Sequence, residues 1–264
     1  MKLAAAIFAA FVVVTAFAQD WRHQLSPTEP GPFPLPPPLH ASYKFGWSAV
    51  TAAEAQADLS WTEAGLLRFD AKGKTVGTVR ALWRMDAEIK SLCKPATLRP
   101  VSDEFIEVYK DETRKTRVDY DNTGVTRIRR TTGVERARTK RFDSPNLFDL
   151  PTALLWLRSQ RLQPGDTYRC VIYPDSSAFF AEMEVAGKDR IALAGKSYNA
   201  IKVALRLHGM NRKRELEPHG KFKRAFGWFS DDSDRLLLKV VADVFVGTVW
   251  MELDKVEFSR SSGQ

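Results

Sequence analysis

Apolar and polar side chains alternate along most of this chain with a period of two residues. Tyr43, Phe45 and Trp47 are each separated by one small or polar residue, and the alanine-rich run 53–61 continues the alternation. A period of two is typical of strands that bury one face. The pattern predicts further strands at 67–71, 105–109, 117–120, 125–130, 134–142, 167–173, 178–185, 190–193, 199–208, 221–229, 235–244 and 248–258.

Two segments depart from this alternation toward helical spacing. Leucines lie on one helical face of 150–162, Asp149 is a candidate N-cap, and Pro151 lies in the first turn, where its missing N–H does no harm. Residues 78–92 also space apolar residues as a short helix would. We therefore predict a mainly β fold, either a large curved antiparallel sheet or a partly closed β-barrel, with one packed α-helix at about 150–162.

The chain begins with the features of an export signal. Lys2 precedes an apolar run, and Ala16 and Ala18 provide the small residues that signal peptidase requires. We expect a signal peptide at 1–18, cleavage before Gln19, and a periplasmic or secreted protein. The alternative is a membrane anchor, but the apolar run is shorter than a bilayer-spanning helix needs, and no later stretch is apolar enough to span.

The rest of the chain divides into a proline-rich segment and one domain. Seven prolines lie within 19–38, and so many prolines favour an extended tether that becomes ordered only near Leu35. Residues 39–264 are predicted to form a single β-rich domain. Cys93 and Cys170 have two open interpretations: a disulfide, which an oxidising compartment permits, or two buried free thiols.

Positive charge is concentrated in one part of the sequence. The chain has 40 Lys+Arg against 32 Asp+Glu, and eleven of the basic residues lie within 110–141 beside five acidic ones. A predicted hairpin joined near Gly133 would place five of them close together: Arg127, Arg129, Arg136, Arg138 and Lys140. An exported protein rarely meets nucleic acid, so we expect an anionic envelope lipid, glycolipid or polysaccharide as partner. The alternative is an ordinary solvated strand face.

Candidate chemistry is sparse elsewhere. The chain lacks a GxSxG motif and a glycine-rich phosphate loop. The four histidines lack the spacing of metal ligands: His23, His40, His208 and His219. Asp231, Asp232 and Asp234 could offer oxygens to Ca²⁺, but a turn capped by its own side chains is the simpler interpretation. We predict no catalytic, cofactor or metal site.

Motifs of the C-terminal half occur in a distinctive order. They read FDLPTALLWLR, LQPGDTYRC, AGKSYNAIKV, FGWFSDD and RLLLKVVADVFVGTVWMEL. With PLPPPLHASYKFGWSAVTAAEAQADLSW and TVGTVRALWRMDAEIKSLCKPATLRP before them, they resemble the bacterial exported family catalogued as domain of unknown function 3108. The resemblance covers roughly 35–258 and implies an exported β-rich protein. That family has no established activity, so the resemblance assigns no functional residue.

Two functions fit these features. The first is a non-enzymatic envelope module that holds a hydrophobic or amphipathic ligand, or a partner protein, in the concavity of the sheet. Five tryptophans could line that concavity or fill a core: Trp47, Trp61, Trp83, Trp156 and Trp228. The second is a glycan-active hydrolase that uses scattered carboxylates, for which Glu182 and Glu184 share one strand face. We favour the binding module because no catalytic constellation accompanies the glutamates.

Overall fold

The structure is a computed structural model that describes residues 20–211, 213–218 and 222–259. The predicted signal peptide, its cleavage site and His219 lie outside the described residues. The elements are a 3-10 helix (Trp21–Gln24), β1 (Leu39–Trp47), β2 (Val50–Trp61), β3 (Leu67–Thr75), α1 (Gly77–Leu82), β4 (Met85–Lys94), β5 (Arg99–Tyr109), β6 (Glu112–Asp121), β7 (Gly124–Thr131), β8 (Arg138–Asp143), β9 (Leu147–Phe148), α2 (Leu150–Ser159), β10 (Thr167–Ile172), β11 (Phe179–Leu193), β12 (Lys196–Met210), β13 (Leu216–Pro218), β14 (Phe222–Ser230), β15 (Leu237–Val244) and β16 (Thr248–Phe258).

All of these strands belong to one sixteen-stranded sheet. Its order is β8-β7-β6-β5-β4-β3-β2-β1-β16-β15-β14-β12-β11-β10-β9, and β13 pairs with β12. Strands β1 and β16 pair antiparallel and join the two halves, whereas β9 pairs with β10 in parallel. The sheet is not closed, because its end strands β8 and β9 do not pair with each other. The predicted mainly β fold is confirmed, with 61% of residues in strands.

The antiparallel register sorts the turns onto two opposite ends of the sheet. One end, which we call the turn rim, carries residues 48–49, 76–84, 110–111, 132–137 and 245–247. The other end carries the turns after β2, β4 and β11. Helix α2 packs near these turns, and Trp156 shares a core cluster with Leu67 and Leu98. We call this second end the helix end.

Helix α2 begins as its sequence predicts. The Asp149 carboxylate accepts a hydrogen bond from the backbone N–H of Thr152 at 2.6 Å, and the Thr152 side chain completes a capping box. Its buried face differs from the predicted leucine stripe. Ala153, Trp156 and Leu157 face the core, whereas Leu150 is 47% exposed. Trp156 stacks at 5.4 Å from Phe148 and is the largest fully buried side chain of the described residues.

The predicted helix end at residue 162 is wrong, and so is the expected free tether. The helix stops at Ser159 because the proline-rich segment takes over its last groups. Gly31 donates its backbone N–H to Ser159 Oγ, and Phe33 donates its own to the Ser159 carbonyl, each at 2.9 Å. A Cβ on Gly31 would lie 2.4 Å from that carbonyl oxygen, so only glycine fits there.

The same segment packs against the domain from Trp21 onward. Trp21 is buried and donates its indole N–H to the Arg214 carbonyl at 2.9 Å. Trp156 donates to the Glu29 carbonyl at 3.2 Å, and Arg158 donates to the Pro34 carbonyl. Prolines lack donors but keep their carbonyls. The composition therefore excluded α-helix and strand correctly, although Trp21–Gln24 form a 3-10 helix, and it did not exclude packing onto the domain.

The interpretation of 78–92 as a helix holds only for its first residues. Helix α1 covers Gly77–Leu82, and β4 begins at Met85. Ile89 pairs with Ala71 on one side and with Phe105 on the other, so β4 is hydrogen-bonded along both edges. Hydrogen bonds to β3 and β5 therefore favour a strand at 85–94, although the apolar residues of this segment are also spaced as in a helix.

Both cysteines are free thiols buried in the core near α2, so the structure contains the second of the two alternatives. Burial raises the pKa of Cys93 to about 12, with a further contribution from the charge of Asp149. Burial also raises the pKa of Cys170 to about 12. Since the thiolate is the reactive form, neither residue is activated as a nucleophile.

Two fully buried carboxyl groups, Asp103 and Asp149, lie beside Cys93, and no sequence motif predicted their burial. Asp149 accepts a hydrogen bond from Ser91 Oγ at 2.5 Å, and Asp103 accepts one from the Tyr120 hydroxyl at 2.9 Å. Burial raises the pKa of Asp103 well above its usual value, and the neighbouring Asp149 carboxylate raises it further. Asp103 Oδ1 has no hydrogen-bond partner among the described residues.

Candidate functional site

The predicted basic hairpin is present, with like charges facing each other across it. Strands β7 and β8 pair so that Arg127 is opposite Lys140 and Arg129 is opposite Arg138. Strand β8 begins at Arg138 and not near Val134 as predicted, so Arg136 lies in the turn 132–137. The five residues are therefore brought together but do not form one uniform solvent-facing surface.

Arg127 is the buried member of this group. It is 9% exposed, and its Nε has no hydrogen-bond partner among the described residues. The hydroxyl of Tyr173, a residue that is 0% exposed, likewise has no partner there. Burial raises the pKa of Tyr173, and the charge of Arg127 partly offsets that rise. A buried charge without a counter-ion is costly, so this position favours an anion.

Arg129 already has such an anion within the protein. Its Nη2 donates to both carboxylate oxygens of Asp175, at 2.6 and 2.8 Å, and its Nε donates to Thr116 Oγ1 at 3.1 Å. Lys140 reaches the Ser176 carbonyl at 3.4 Å but is exposed. The loop that follows β10 thus neutralises part of the hairpin, which the sequence alone did not indicate.

The remaining arginines line a small pocket at the turn rim, which we call the cationic pocket. It has a volume of about 220 Å³ and is lined by Glu112, Arg114, Arg129, Thr131, Val134, Arg136 and Arg138. Arg114 pairs with Glu112 at 2.8 Å. Arg136 and Arg138 are exposed and pair with no acid in the described part of the chain. The pocket therefore presents two unmatched guanidinium groups, which suit phosphate or carboxylate oxygens.

A second pocket adjoins the first, and we call it the aromatic groove. It measures about 360 Å³ and is lined by Trp83, Met85, Glu107, Tyr109, Glu112 and Arg114. Trp83 and Tyr109 meet edge to face at 6.1 Å. Glu112 and Arg114 line both pockets, so a groove with two aromatic walls opens directly beside the cationic pocket. Trp83 was a candidate lining residue, whereas Met85 and Tyr109 become visible only through the pairing of β4 with β5.

The other tryptophans divide between core and surface. Trp156 and Trp228 are 0% and 8% exposed and fill core clusters. Trp47 and Trp61 are about half exposed and line none of the three pockets described. Trp156 and Trp228 therefore fill the core, which is one of the two roles expected for the tryptophans, and do not line a ligand cavity.

The largest of these pockets is a polar trough across β1–β5 of about 650 Å³. Its charges are largely matched. Lys44 pairs with Asp254 at 2.7 Å, and Lys72 pairs with Glu88 at 2.6 Å. Matched charges leave little attraction for a charged ligand, and the trough has no aromatic wall apart from Tyr43. Size alone therefore does not make it the best candidate.

The glutamates considered for glycoside hydrolysis are neutralised by arginines. Glu182 contacts Arg169 and Arg206, each at 2.6 Å, and Glu184 contacts Arg206 at 3.2 Å. Burial raises the pKa of Glu182, but hydrogen bonds from the two arginines outweigh it and lower the pKa overall. A general acid of this chemistry needs a raised pKa, so the pair does not fit that role.

The histidines and the aspartate cluster have structural surroundings. His40 contacts Asp58 at 2.7 Å, and His208 meets the ring of Phe180. Asp232 accepts hydrogen bonds from Ser230 Oγ and from the backbone N–H of Arg235, as the turn interpretation predicts. Within the described ranges no three His, Cys, Asp or Glu residues converge as a metal site.

Fold and site together define an open, barrel-like β-sheet protein with an aromatic and cationic rim. The chain belongs to the family DUF3108, described as a protein of unknown function, which matches residues 42–254. The resemblance seen in the sequence is thus confirmed. No curated protein matches the chain.

Two solved structures match the chain, and the first of them is similar in fold. One is a β-barrel-like protein of domain of unknown function DUF1849 from Brucella abortus, with a TM-score of 0.57, 7% identity, and coverage of 85% of this chain and 99% of that one. The other is a candidate exported protein with a YmcC-like fold from Bacteroides fragilis, with a TM-score of 0.32, 7% identity, and coverage of 86% and 99%. The first supports the barrel-like fold and nothing about activity. No helix of the described residues is long and apolar enough to cross a membrane.

Proposed function

We propose that this protein is an exported, non-enzymatic binding module for an amphipathic anionic ligand. The observation that carries the proposal is the contact between the two rim pockets. The cationic pocket would hold the acidic head of the ligand, and the aromatic groove would hold its apolar part. Pockets that combine an apolar wall with a few placed charges are typical ligand sites.

The charges of the hairpin support an oxyanion as the head. Arg136 and Arg138 lack acidic partners in the described chain, and Arg114 stands between the two pockets. Guanidinium groups bind phosphate and carboxylate oxygens through paired hydrogen bonds. Anionic lipids, glycolipids and acidic polysaccharides all carry such groups, but the aromatic groove favours the members with an acyl or other apolar portion.

The test measures binding of a soluble short-chain phosphatidic acid by titration calorimetry below its micelle concentration. Dihexanoyl phosphatidic acid should bind, and the zwitterionic dihexanoyl phosphatidylcholine should bind at least about tenfold more weakly, because losing one charge-assisted contact costs about that factor. The double variant R136Q/R138Q should lose the preference for the acid. A matched control, R161Q/K196Q, removes two exposed cations away from the rim and should bind like the wild type.

The variant W83A examines the groove separately. It should weaken binding of dihexanoyl phosphatidic acid more than binding of glycerol phosphate, which has the same head without acyl chains. Equal binding of the two phospholipids by the wild type, or unchanged binding in R136Q/R138Q, would contradict the proposal. Export is tested by the N-terminal sequence of protein from the periplasm, which should begin at Gln19.

A further inference from the structure

Exposed apolar side chains are concentrated at the turn rim. Eleven large hydrophobic residues are exposed in the described chain. Nine of them lie on or beside the rim turns: Trp47, Val50, Leu82, Trp83, Tyr109, Val134, Phe245, Val246 and Val249. The other two, Trp61 and Leu150, lie elsewhere. Exposed apolar residues that are grouped in this way and bordered by charged ones mark interaction surfaces.

The two most prominent residues are Phe245 at 90% and Leu82 at 85% exposure. Almost nothing in the protein covers them. Leu82 is the last residue of α1, and Phe245 lies in the turn between β15 and β16. Exposing such side chains to water forfeits their burial energy, which a hydrophobic environment outside the protein would restore.

The turn that carries Phe245 is held rigidly by its neighbour. Trp47 donates its indole N–H to the Val246 carbonyl at 2.7 Å, and Trp250 donates its own to the Ser48 carbonyl at 2.8 Å. Gly247 has a φ of +79°, and a Cβ there would lie 2.6 Å from Ser48 Oγ. The turns after β1 and β15 therefore interlock. Because these turns are already held in one conformation, they lose little conformational entropy when the rim docks.

The charges on the rim identify the kind of partner. Arg80, Arg84, Lys110 and Arg136 lie in the rim turns with Asp111 and Glu135, and the cationic pocket opens beside them. Asp86 at the start of β4 pairs with Arg80 at 2.9 Å and lies 4.0 Å from Arg84, whereas Lys110 and Arg136 form no ion pair among the described residues. Aromatic and aliphatic tips between cations match the interface of an anionic bilayer, where rings enter the headgroup layer and cations meet lipid phosphates. A symmetric dimer through this rim would instead oppose like charges across a two-fold axis.

We propose that the turn rim docks onto an anionic membrane surface, with Phe245 and Leu82 inserted at the headgroup level. The inference deepens the proposed function, because it places the amphipathic ligand in a bilayer, and it rests on that function only for the identity of the ligand. The docking contacts are the rim tips, whereas the ligand contacts are in the two pockets, so separate variants can test each.

The experiment is cosedimentation with vesicles of phosphatidylglycerol and phosphatidylcholine, compared with vesicles of phosphatidylcholine alone. The wild type should bind the anionic vesicles and release them as salt rises toward physiological strength. L82S/F245S should lower the bound fraction at least about tenfold, and R84Q/K110Q should lower it and weaken its salt dependence. The matched control W61S/L150S removes the two exposed apolar residues outside the rim and should bind like the wild type.

The outcomes separate this inference from the ligand proposal. L82S/F245S should still prefer dihexanoyl phosphatidic acid in the calorimeter, whereas R136Q/R138Q should lose that preference. Vesicle binding that is equal in L82S/F245S and in W61S/L150S would overturn the docking inference and leave the ligand site standing. So would a wild-type dimer in sedimentation equilibrium that L82S/F245S converts to a monomer, since the rim would then be covered by a second copy.

Discussion

The two ends of the sheet are built from the same strands but finished in opposite ways. At the helix end, Trp156, Leu67 and Leu98 are at most 2% exposed beneath α2. At the turn rim, Leu82 and Phe245 are at least 85% exposed. Alternation along a strand determines which side chains face the core. It does not determine which element covers the side chains at the two ends of the strand. Helix α2 covers the helix end, and we propose that an anionic membrane covers the turn rim.

Polar groups are satisfied by protein partners at the helix end and remain unmatched at the turn rim. At the helix end, each oxygen of the Asp149 carboxylate accepts a hydrogen bond, one from Ser91 and one from Thr152. At the rim, Arg136 and Arg138 lack acidic partners among the described residues. A satisfied network fixes structure, whereas unmatched surface charge is available for recognition. Stability should therefore depend on the helix end and binding on the rim.

The largest expected effect comes from removing the central side chain of the helix end. W156A deletes a fully buried ring and its hydrogen bond to the Glu29 carbonyl, and we expect a loss of about 3–5 kcal/mol in the free energy of unfolding. The rim counterpart W83A removes a half-exposed ring and should cost well under half of that. Urea unfolding measures both. Equal losses would show that the rim is as essential to the fold as the helix end.

A smaller effect should appear as pH dependence at the helix end. The pKa of Asp103 is raised in the folded protein, so between the ordinary value near 3.8 and that raised value the folded state binds more protons than the unfolded state. Stability from this group therefore falls as pH rises through that window, by up to about 1.4 kcal/mol per pH unit. D103N keeps a neutral group of the same shape and should flatten the fall.

Unfolding measured at several pH values between about 5 and 8 checks this expectation. D103N should be no more stable than the wild type at the acidic end and more stable at the alkaline end. D175N at the hairpin offers a control, because Asp175 contacts Arg129 and lies outside the buried carboxyl pair. A wild-type profile as flat as that of D103N would mean that burial does not raise the pKa of Asp103 in the folded protein.

Part of this picture could be predicted from the sequence because it depends on local rules. Alternation predicted the strands, and Asp149 predicted the start of α2, since both signals act over a few residues. The end of α2 depends on contacts from Gly31 and Phe33, more than 120 residues away in sequence, which no local rule contains. Charge density found the hairpin, but the burial of Arg127 depends on how the sheet curls.

The site was less predictable than the fold for the same reason. The aromatic groove joins Trp83 and Tyr109, which lie in different elements and meet only because β4 and β5 pair in register. The interlocked turns of Trp47 and Val246 join the two chain halves through β1 and β16. These contacts are set by pairing across the sheet, so single-chain periodicity predicts each residue's face but not its neighbours.

The smallest expected effect on stability is that of the rim variant R136Q/R138Q, and it tests directly whether the rim serves binding or folding. R136Q/R138Q changes two exposed arginines of the cationic pocket, and it should alter the free energy of unfolding by less than about 0.5 kcal/mol. Arg138 faces Arg129 across the hairpin, so losing one like charge relieves repulsion and the change should be neutral or slightly stabilising. R129Q is the informative contrast, because it breaks the bidentate contact with Asp175 and should destabilise the protein at the same strand position. Thermal unfolding of the three proteins decides the matter: a marked loss in R136Q/R138Q would mean that these arginines serve the fold, and the rim would then lose its assignment as a binding surface.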